Sequence, residues 1–308
     1  MRAAFTKTLF NTAKHNKNIM LLTGDLGYSI FEPFIQTIPK QYLNTGISEQ
    51  NMTGMAAGLA AEGKIPIIYS IIPFITMRNF EQIRNDICYQ NLNVKIVGVG
   101  SGFSYGPYGH SHHGLEDIGI LRTLANLIIL SPSDPEEAEE ATKWALQYNG
   151  PVYIRLGKAG EPVLHNKPFH FTLEKGSILK RGNDVSIFST GAITSSAIDA
   201  AKELDKKGIS TGVISMPSIK PIDEKLIIQQ AKTLKALFTL EEHSIIGGLG
   251  SAVAEVLAEN QSNIIFKRIG VPDRFTKKMG RQEFMREANG LSVPQIVEMI
   301  MQSIQKKK

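Results

Sequence analysis

The stretch NTGISEQNMTGMAAGLAAEG, residues 44–63, decides how this chain reads. It places one carboxylate, Glu49, at the start of a segment built almost wholly from small and apolar residues. Ser48 has the side chain of a helix N-cap and Gly63 suits a C-terminal stop, so the spacing predicts a helix between them. Gly54, Ala57, Gly58 and Ala61 recur at helical spacing and give that helix a thin face that another backbone can approach closely. A carboxylate entering such a packed surface is costly unless something pairs with it. Read from the residues alone, Glu49 is either a first-turn partner of the helix dipole or an acid kept for a site.

Outward from this helix the first half of the chain alternates helix and strand. Helices are expected over residues 2–15, 80–90 and 135–147, and strands over 19–23, 65–72, 94–99, 127–130 and 152–155. Short Ile- and Val-rich runs separated by helices indicate an α/β fold with a parallel sheet covered on both faces. From Gly160 to Leu173 the pattern lapses into Pro, His, Asn and Gly, which reads as a linker, here placed at residues 161–174. A second α/β unit follows over 175–308, with strands at 185–188, 212–215, 236–239 and 264–268. Its helices are expected at 195–206, 223–232, 251–259 and 293–303. Neither repeats nor low-complexity tracts interrupt the chain.

Composition bounds the function. The 308 residues suffice for two domains of ordinary size. The profile, 42% hydrophobic and 20% charged, is that of a soluble globular protein. The net charge of +5 is spread rather than gathered in a stripe, so no nucleic-acid surface is expected, and Lys306-Lys307-Lys308 reads as a solvated tail. The single cysteine, Cys88, excludes an internal disulfide framework and suits a reducing compartment. The N-terminal residues form an amphipathic helix start rather than an export signal. The longest apolar stretch, 65–77, is interrupted by Pro66, Ser70 and Pro73 and is too short to span a bilayer. A cytoplasmic protein that binds no membrane is the expectation.

Gly46-Ile-Ser-Glu-Gln-Asn-Met52, followed by the Gly/Ala helix, resembles the pyrimidine-binding domain of the transketolase family, whose members use thiamine diphosphate. The second half resembles that family's C-terminal domain, so the likeness covers essentially the whole chain. It implies a pyrimidine-binding parallel-sheet domain over residues 1–160, followed by a smaller α/β domain. It also implies that Glu49 hydrogen-bonds a ring nitrogen of the cofactor's aminopyrimidine. A carboxyl so placed shares a proton with the ring and sets the tautomer from which the cofactor becomes a carbon nucleophile.

Further residues take roles by the same resemblance. Gly24-Asp25-Leu26-Gly27-Tyr28-Ser29 follows a strand, at the sheet edge where α/β proteins bind ligands. The likeness puts Asp25 near the thiazolium and turns Ser29 toward a sugar phosphate; read alone, the segment is an ordinary Asx turn. Phe74 matches an aromatic residue that stacks on the aminopyrimidine, and a flat heteroaromatic ring needs such a face. Phe80 reads as core. His112, in Gly109-His-Ser-His-His113, takes the place of a histidine that contacts the donor carbonyl and the cofactor. An imidazole there polarises a carbonyl or steadies a developing alkoxide. Three histidines within four residues also invite a metal reading, but cysteine and helical ligand spacing are both missing, so no metal site is expected here. Arg2 matches an arginine that grips substrate phosphate. Lys158 stands where the family has a phosphate-binding arginine, keeping the charge but losing the bidentate fork. Arg155, in the same strand, is a second candidate.

The chain also departs from the family. Tyr108 replaces an aspartate that reads a substrate hydroxyl, Gly100 replaces a transketolase histidine, and Ser101 stands near the arginine of deoxyxylulose-phosphate synthases. The pocket is therefore expected to discriminate differently from an ordinary transketolase. Glu241-Glu242-His243 and the glycines up to Gly250 suggest a phosphate loop, but the spacing is not that of a dinucleotide fingerprint, and they read as packing or a dimer contact. The Gly-Asp-Gly…Asn-Asn motif that binds diphosphate and metal is missing from this sequence. The resemblance is thus to the C-terminal subunit of a split transketolase, whose N-terminal-type partner holds the diphosphate and Mg²⁺, as in an α2β2 heterotetramer. The rivals are the β subunit of a 2-oxo acid dehydrogenase, a pyruvate-using acyl transferase, and a non-catalytic α/β scaffold.

Overall fold

The computed structural model describes residues 1–165 and 168–305. Part of the expected linker and the three-lysine tail at 306–308 lie outside the described residues. A seven-stranded sheet forms the first unit. Its order is Ser218–Lys220, Ile128–Leu130, Val152–Leu156, Lys95–Val99, Ile65–Ile71, Ile19–Thr23 and Tyr42–Asn44. All neighbours run parallel except Ser218–Lys220, which pairs antiparallel with Ile128–Leu130. The second unit is a five-stranded sheet in the order Ile265–Val271, Ala236–Ser244, Val185–Thr190, Thr211–Ser215 and Ser177–Lys180, the last antiparallel.

Strands buried on both faces explain the unbroken apolar runs. Lys95–Val99, Val152–Leu156 and Thr211–Ser215 are buried at every position, as parallel strands under two helical layers must be. Caps fix the helices between them. Asp134 accepts from the Glu137 amide at 2.8 Å and Pro135 opens the helix Pro135–Gln147; Asp223 does the same for Glu224–Thr233 through the Leu226 amide at 3.1 Å.

The helix Glu49–Ala61 forms as expected and ends before Gly63, whose φ of +81° turns the chain. Ser48 occupies the N-cap position, yet its hydroxyl donates to the Thr45 carbonyl at 2.8 Å and caps nothing. Of the expected thin face, Ala57 is buried, whereas Gly54, Gly58 and Ala61 are exposed. The expected helix over 80–90 is a short α turn, Phe80–Gln82, continued by a π-helical turn, Ile83–Cys88. Phe80 packs against the core. The strand expected to stop at 239 continues to Ser244, so Glu241, Glu242 and His243 lie within it, all buried.

The two units are joined by more than the linker. Ser218–Lys220 completes the first sheet, while Phe103 and Leu115 of the first unit sit in the apolar core of the second. Among the described residues no helix is long and apolar enough to cross a membrane.

Candidate active site

The parallel strands of the first sheet deliver four segments to one carboxyl edge. Gly24 and Asp25 follow Ile19–Thr23, the short helix Ile72–Thr76 follows Ile65–Ile71, a long loop follows Lys95–Val99, and Lys158 follows Val152–Leu156. This is where α/β sheets place ligands, because strand ends and helix starts leave a crevice there.

Glu49 is 3% exposed at the floor of this edge. One carboxylate oxygen accepts from the Ser70 hydroxyl at 3.2 Å, and the other from the Arg78 guanidinium at 3.3 Å. Arg78 is itself about half exposed, and its guanidinium lies 4.1 Å over the Phe74 ring. Gly24 opens the wall beside the acid, for a Cβ there would stand 3.6 Å from the nearer Glu49 oxygen. A buried carboxylate and a flat aromatic face thus share one planar cation. The same pair of surfaces suits a planar heteroaromatic base with in-plane donors.

His112 closes the next side. Its ring lies 5.2 Å from Phe74 and 5.4 Å from Tyr108, and Ser111 Oγ meets its Nδ1 at 3.0 Å. Burial, reinforced by the Arg78 cation, holds the His112 pKa below the ordinary histidine value. The imidazole is therefore neutral at neutral pH, with one nitrogen to accept and one to donate. The three neighbouring histidines do not converge. His110 packs on Phe275 at 4.4 Å, and His113 is buried against Phe103 at 5.1 Å. Among the described residues no group of three or more His, Cys, Asp or Glu side chains could hold a metal ion.

Arg2, Ser29 and Lys158 come together, with Lys7, in an open cavity of about 630 Å³. Lys158 connects it to the histidine side: its ammonium lies 4.9 Å over the Tyr105 ring and 5.9 Å over Tyr108. Burial pushes the Tyr69 and Tyr105 phenols up, and the adjacent Arg2 cation partly offsets the rise. The far end of the crevice is cationic. Asp25 is exposed, and its carboxylate is held by Asn44 at 3.0 Å and Tyr28 at 2.9 Å, contacts that keep its pKa below the usual carboxylate range.

Arg155 does not reach this crevice. It is 2% exposed and donates to Asp117 at 2.8 Å, to the Gly114 carbonyl at 2.7 Å and to the Glu242 carbonyl at 3.1 Å. Its charge is spent inside the protein, and it is withdrawn from the substrate-binding set. Two residues here escaped sequence reasoning. Arg78 stands four positions after Phe74, a spacing that puts side chains on one side of a helical turn. Tyr105 fills the space above Gly100: a Cβ on that glycine would lie 2.2 Å from the tyrosine ring. Nothing in the local sequence marks Tyr105 beyond its place in an aromatic-rich loop.

Residues 1–160 match the transketolase pyrimidine-binding domain, and residues 174–296 match the transketolase C-terminal domain. The chain is 39% identical to an apulose-4-phosphate transketolase subunit of Actinobacillus succinogenes, over 87% of this chain and 86% of that protein. It is 36% identical to a 6-deoxy-6-sulfo-D-fructose transketolase subunit of a Clostridium species, over 96% and 92%. A solved split-gene transketolase, described as an inactive β4 tetramer, superposes with a TM-score of 0.91 at 39% identity, covering 100% of this chain and 99% of the other.

Proposed function

The chain belongs to the transketolase family, and on that premise we propose that it is the C-terminal-type subunit of a split, thiamine-diphosphate-dependent enzyme. The reaction is transfer of a two-carbon ketol unit from a ketose donor to an aldehyde acceptor, in the cytoplasm. The observation that carries this reading is the convergence of buried Glu49, the Phe74 face and neutral His112 at one sheet edge.

Bound there, thiamine diphosphate supplies the nucleophilic carbon that the side chains of a protein lack. Glu49 would hydrogen-bond the ring nitrogen of the aminopyrimidine and share its proton, and Phe74 would offer the face for stacking. Asp25, fixed by Asn44 and Tyr28, would present negative charge toward the cofactor's cationic ring. Neutral His112 donates to the substrate oxygen on which charge develops, a form of stabilisation that needs the donor already in place. Arg2, Ser29 and Lys158 take the anionic end of the substrate. Tyr108, 62% exposed, borders the path between these two ends.

The diphosphate and Mg²⁺ belong to an N-terminal-type partner chain in an α2β2 assembly. The missing diphosphate motif supports this, as do relatives named as single subunits. Calorimetry tests it. The chain alone is expected to bind thiamine diphosphate weakly, since most of the binding charge lies on the diphosphate. Adding the partner and Mg²⁺ is expected to bring both tight binding and turnover. Tight, Mg²⁺-dependent binding by the chain alone would refute the division of labour.

A further inference from the structure

The loop that carries Tyr108, His110, Ser111 and His112 leaves the first sheet after Val99 and returns at Asp117. Its neck is a two-way contact: the Gly102 amide donates to the Gly114 carbonyl at 2.9 Å, and the Gly114 amide returns the bond at 3.1 Å. At this neck the loop is attached to the second domain as well as to its own, where Tyr105 packs against the first unit's core. Phe103 and Leu115, at the two feet of the loop, are buried in the second domain's core. The Leu115 carbonyl accepts from the Ser244 amide at 2.7 Å.

Glu242 is the centre of this attachment. It is 3% exposed, at the end of the strand Ala236–Ser244. One oxygen accepts from the Phe103 amide at 2.7 Å, and the other from Arg286 Nε at 2.7 Å, while Gln282 reaches both, at 3.0 and 3.1 Å. Arg286 and Gln282 belong to the helix Gln282–Ala288 of the second domain, which holds the acid from behind, and the oxygen that Gln282 shares with the loop accepts from Phe103. Gly102 makes the approach possible. Its φ is +62°, and a Cβ on it would lie 2.5 Å from both Cγ and Cδ of Glu242. Arg155 braces the same neck from the first domain through the Gly114 and Glu242 carbonyls. At the loop tip, a Cβ on Gly109 would lie 3.1 Å from the sulfur of Met279, so the second domain also lies against the tip.

We infer that Glu242 is a positioning residue: by holding the Phe103 amide it fixes the loop that carries His112, and the second domain thereby sets the geometry of the active edge. A buried, charge-assisted hydrogen bond to a backbone amide constrains a loop more than an exposed contact does, because water cannot replace it. The consequence for catalysis rests on the role proposed above for His112; the clamp itself rests only on the contacts just given.

Hydrogen exchange on the full chain tests it. Glu242→Ala is expected to speed amide exchange across residues 103–113 by about tenfold or more, the effect of losing a buried hydrogen bond to a charged group. Exchange in the strands of both sheets should change far less, and the His112 ring resonances should shift. Glu242→Gln has a single acceptor oxygen for the Phe103 amide and Arg286 together, so its loop is expected to exchange at a rate between wild type and the alanine variant, or as fast as the alanine variant. Gly102→Ala, which forces the carboxylate away, should reproduce the alanine effect. Unchanged loop exchange in Glu242→Ala, or a rise spread evenly over the whole chain, would overturn the inference. Since the readout is the loop's own amides, a failure of the thiamine diphosphate reading would appear in cofactor binding and leave these outcomes standing.

Discussion

Arg78 holds its guanidinium 3.3 Å from the Glu49 carboxylate while lying 4.1 Å over the Phe74 ring. The cation satisfies a buried acid and covers an aromatic face at once. Any planar base that uses the same carboxylate and the same ring must take the place Arg78 fills. Arg78 is 48% exposed against 3% for Glu49, so it is the partner with solvent to turn into.

Glu49→Gln is expected to leave the fold intact and to slow cofactor activation by about two to four orders of magnitude, the range of positioned proton transfer. Glutamine preserves the volume and the bond to Ser70 but cannot share the proton that sets the ring tautomer. Exchange of the cofactor's C2 proton, followed on the enzyme reconstituted with its partner, measures this step directly. Exchange near the wild-type rate would remove Glu49 from the role.

Arg78→Ala has a readout that needs no substrate. Removing the cation takes away one of the two influences that hold the His112 pKa down, so that pKa should rise toward the ordinary histidine value; burial, the larger cause, remains and keeps the rise partial. Stability should fall by about 1 to 3 kcal/mol, because the buried Glu49 carboxylate then keeps the Ser70 hydroxyl but loses its cation. Titration of the His112 ring protons by NMR reports the shift. A pKa that stayed in place or fell would show that Arg78 does not act on His112.

His243 and Glu241 carry opposite pH signatures in one buried strand. Burial pushes the His243 pKa down to about 4 and the Glu241 carboxyl up to about 7. The unfolded chain protonates its histidine first as the pH falls, so the His243 contribution is full above about pH 6.5 and is lost toward pH 4. Glu241 works the other way, since its folded form takes the proton first between about pH 7 and 4.5. His243→Leu, which gives up the acceptor for the Gly119 amide at 3.2 Å, should therefore destabilise the chain most at neutral pH. The gap to wild type should narrow by about 1 to 3 kcal/mol between pH 7 and pH 4.5, following the linkage of proton uptake to stability. Urea unfolding at both pH values decides; a gap that widened with acid would contradict the neutral imidazole.

The parallel core was legible because strands buried on both faces leave an apolar signature that needs no partner to be read. Ile19–Thr23 and Pro135–Gln147 fall where the pattern puts them. The edge strands Tyr42–Asn44, Ser177–Lys180 and Ser218–Lys220 left no such mark, for strands of three or four residues exist only through their pairing in space. Glu241, Glu242 and His243 read as a loop because three polar residues in a row argue against a buried strand. What buries them is long-range: the Leu249 and Gly250 amides for Glu241, and Arg286 for Glu242. Arg155 misled for the same reason, since Asp117 lies far from it in sequence and nothing local announces the pair. Glu49, Phe74 and His112 come from family motifs and lie together at one sheet edge, whereas Arg78 emerged from geometry alone.

Substrate choice should follow from what fills the pocket. Gly100 stands where the resemblance places a histidine, and the Tyr105 ring fills the space a side chain there would need, 2.2 Å from a Cβ. Tyr108 is 62% exposed, with its ring 5.4 Å from His112 and 5.9 Å from the Lys158 ammonium, where an aspartate would be smaller and charged. A site built to hydrogen-bond a hydroxyl discriminates strongly through it, and one that lacks the partner cannot. The cationic end persists, with Lys158 as a point charge over two aromatic rings rather than a bidentate fork. Poor turnover is therefore expected with xylulose 5-phosphate and ribose 5-phosphate, and better turnover with another ketose carrying an anionic end. Lys158→Met should raise KM for that donor by about tenfold, the scale of one partly exposed charge contact, with a smaller effect on kcat. Specificity constants over a panel of ketose phosphates, measured on the two-subunit enzyme, provide the test. If xylulose 5-phosphate and ribose 5-phosphate headed that panel, the replacements at positions 100 and 108 would be neutral and the pocket would discriminate as an ordinary transketolase does.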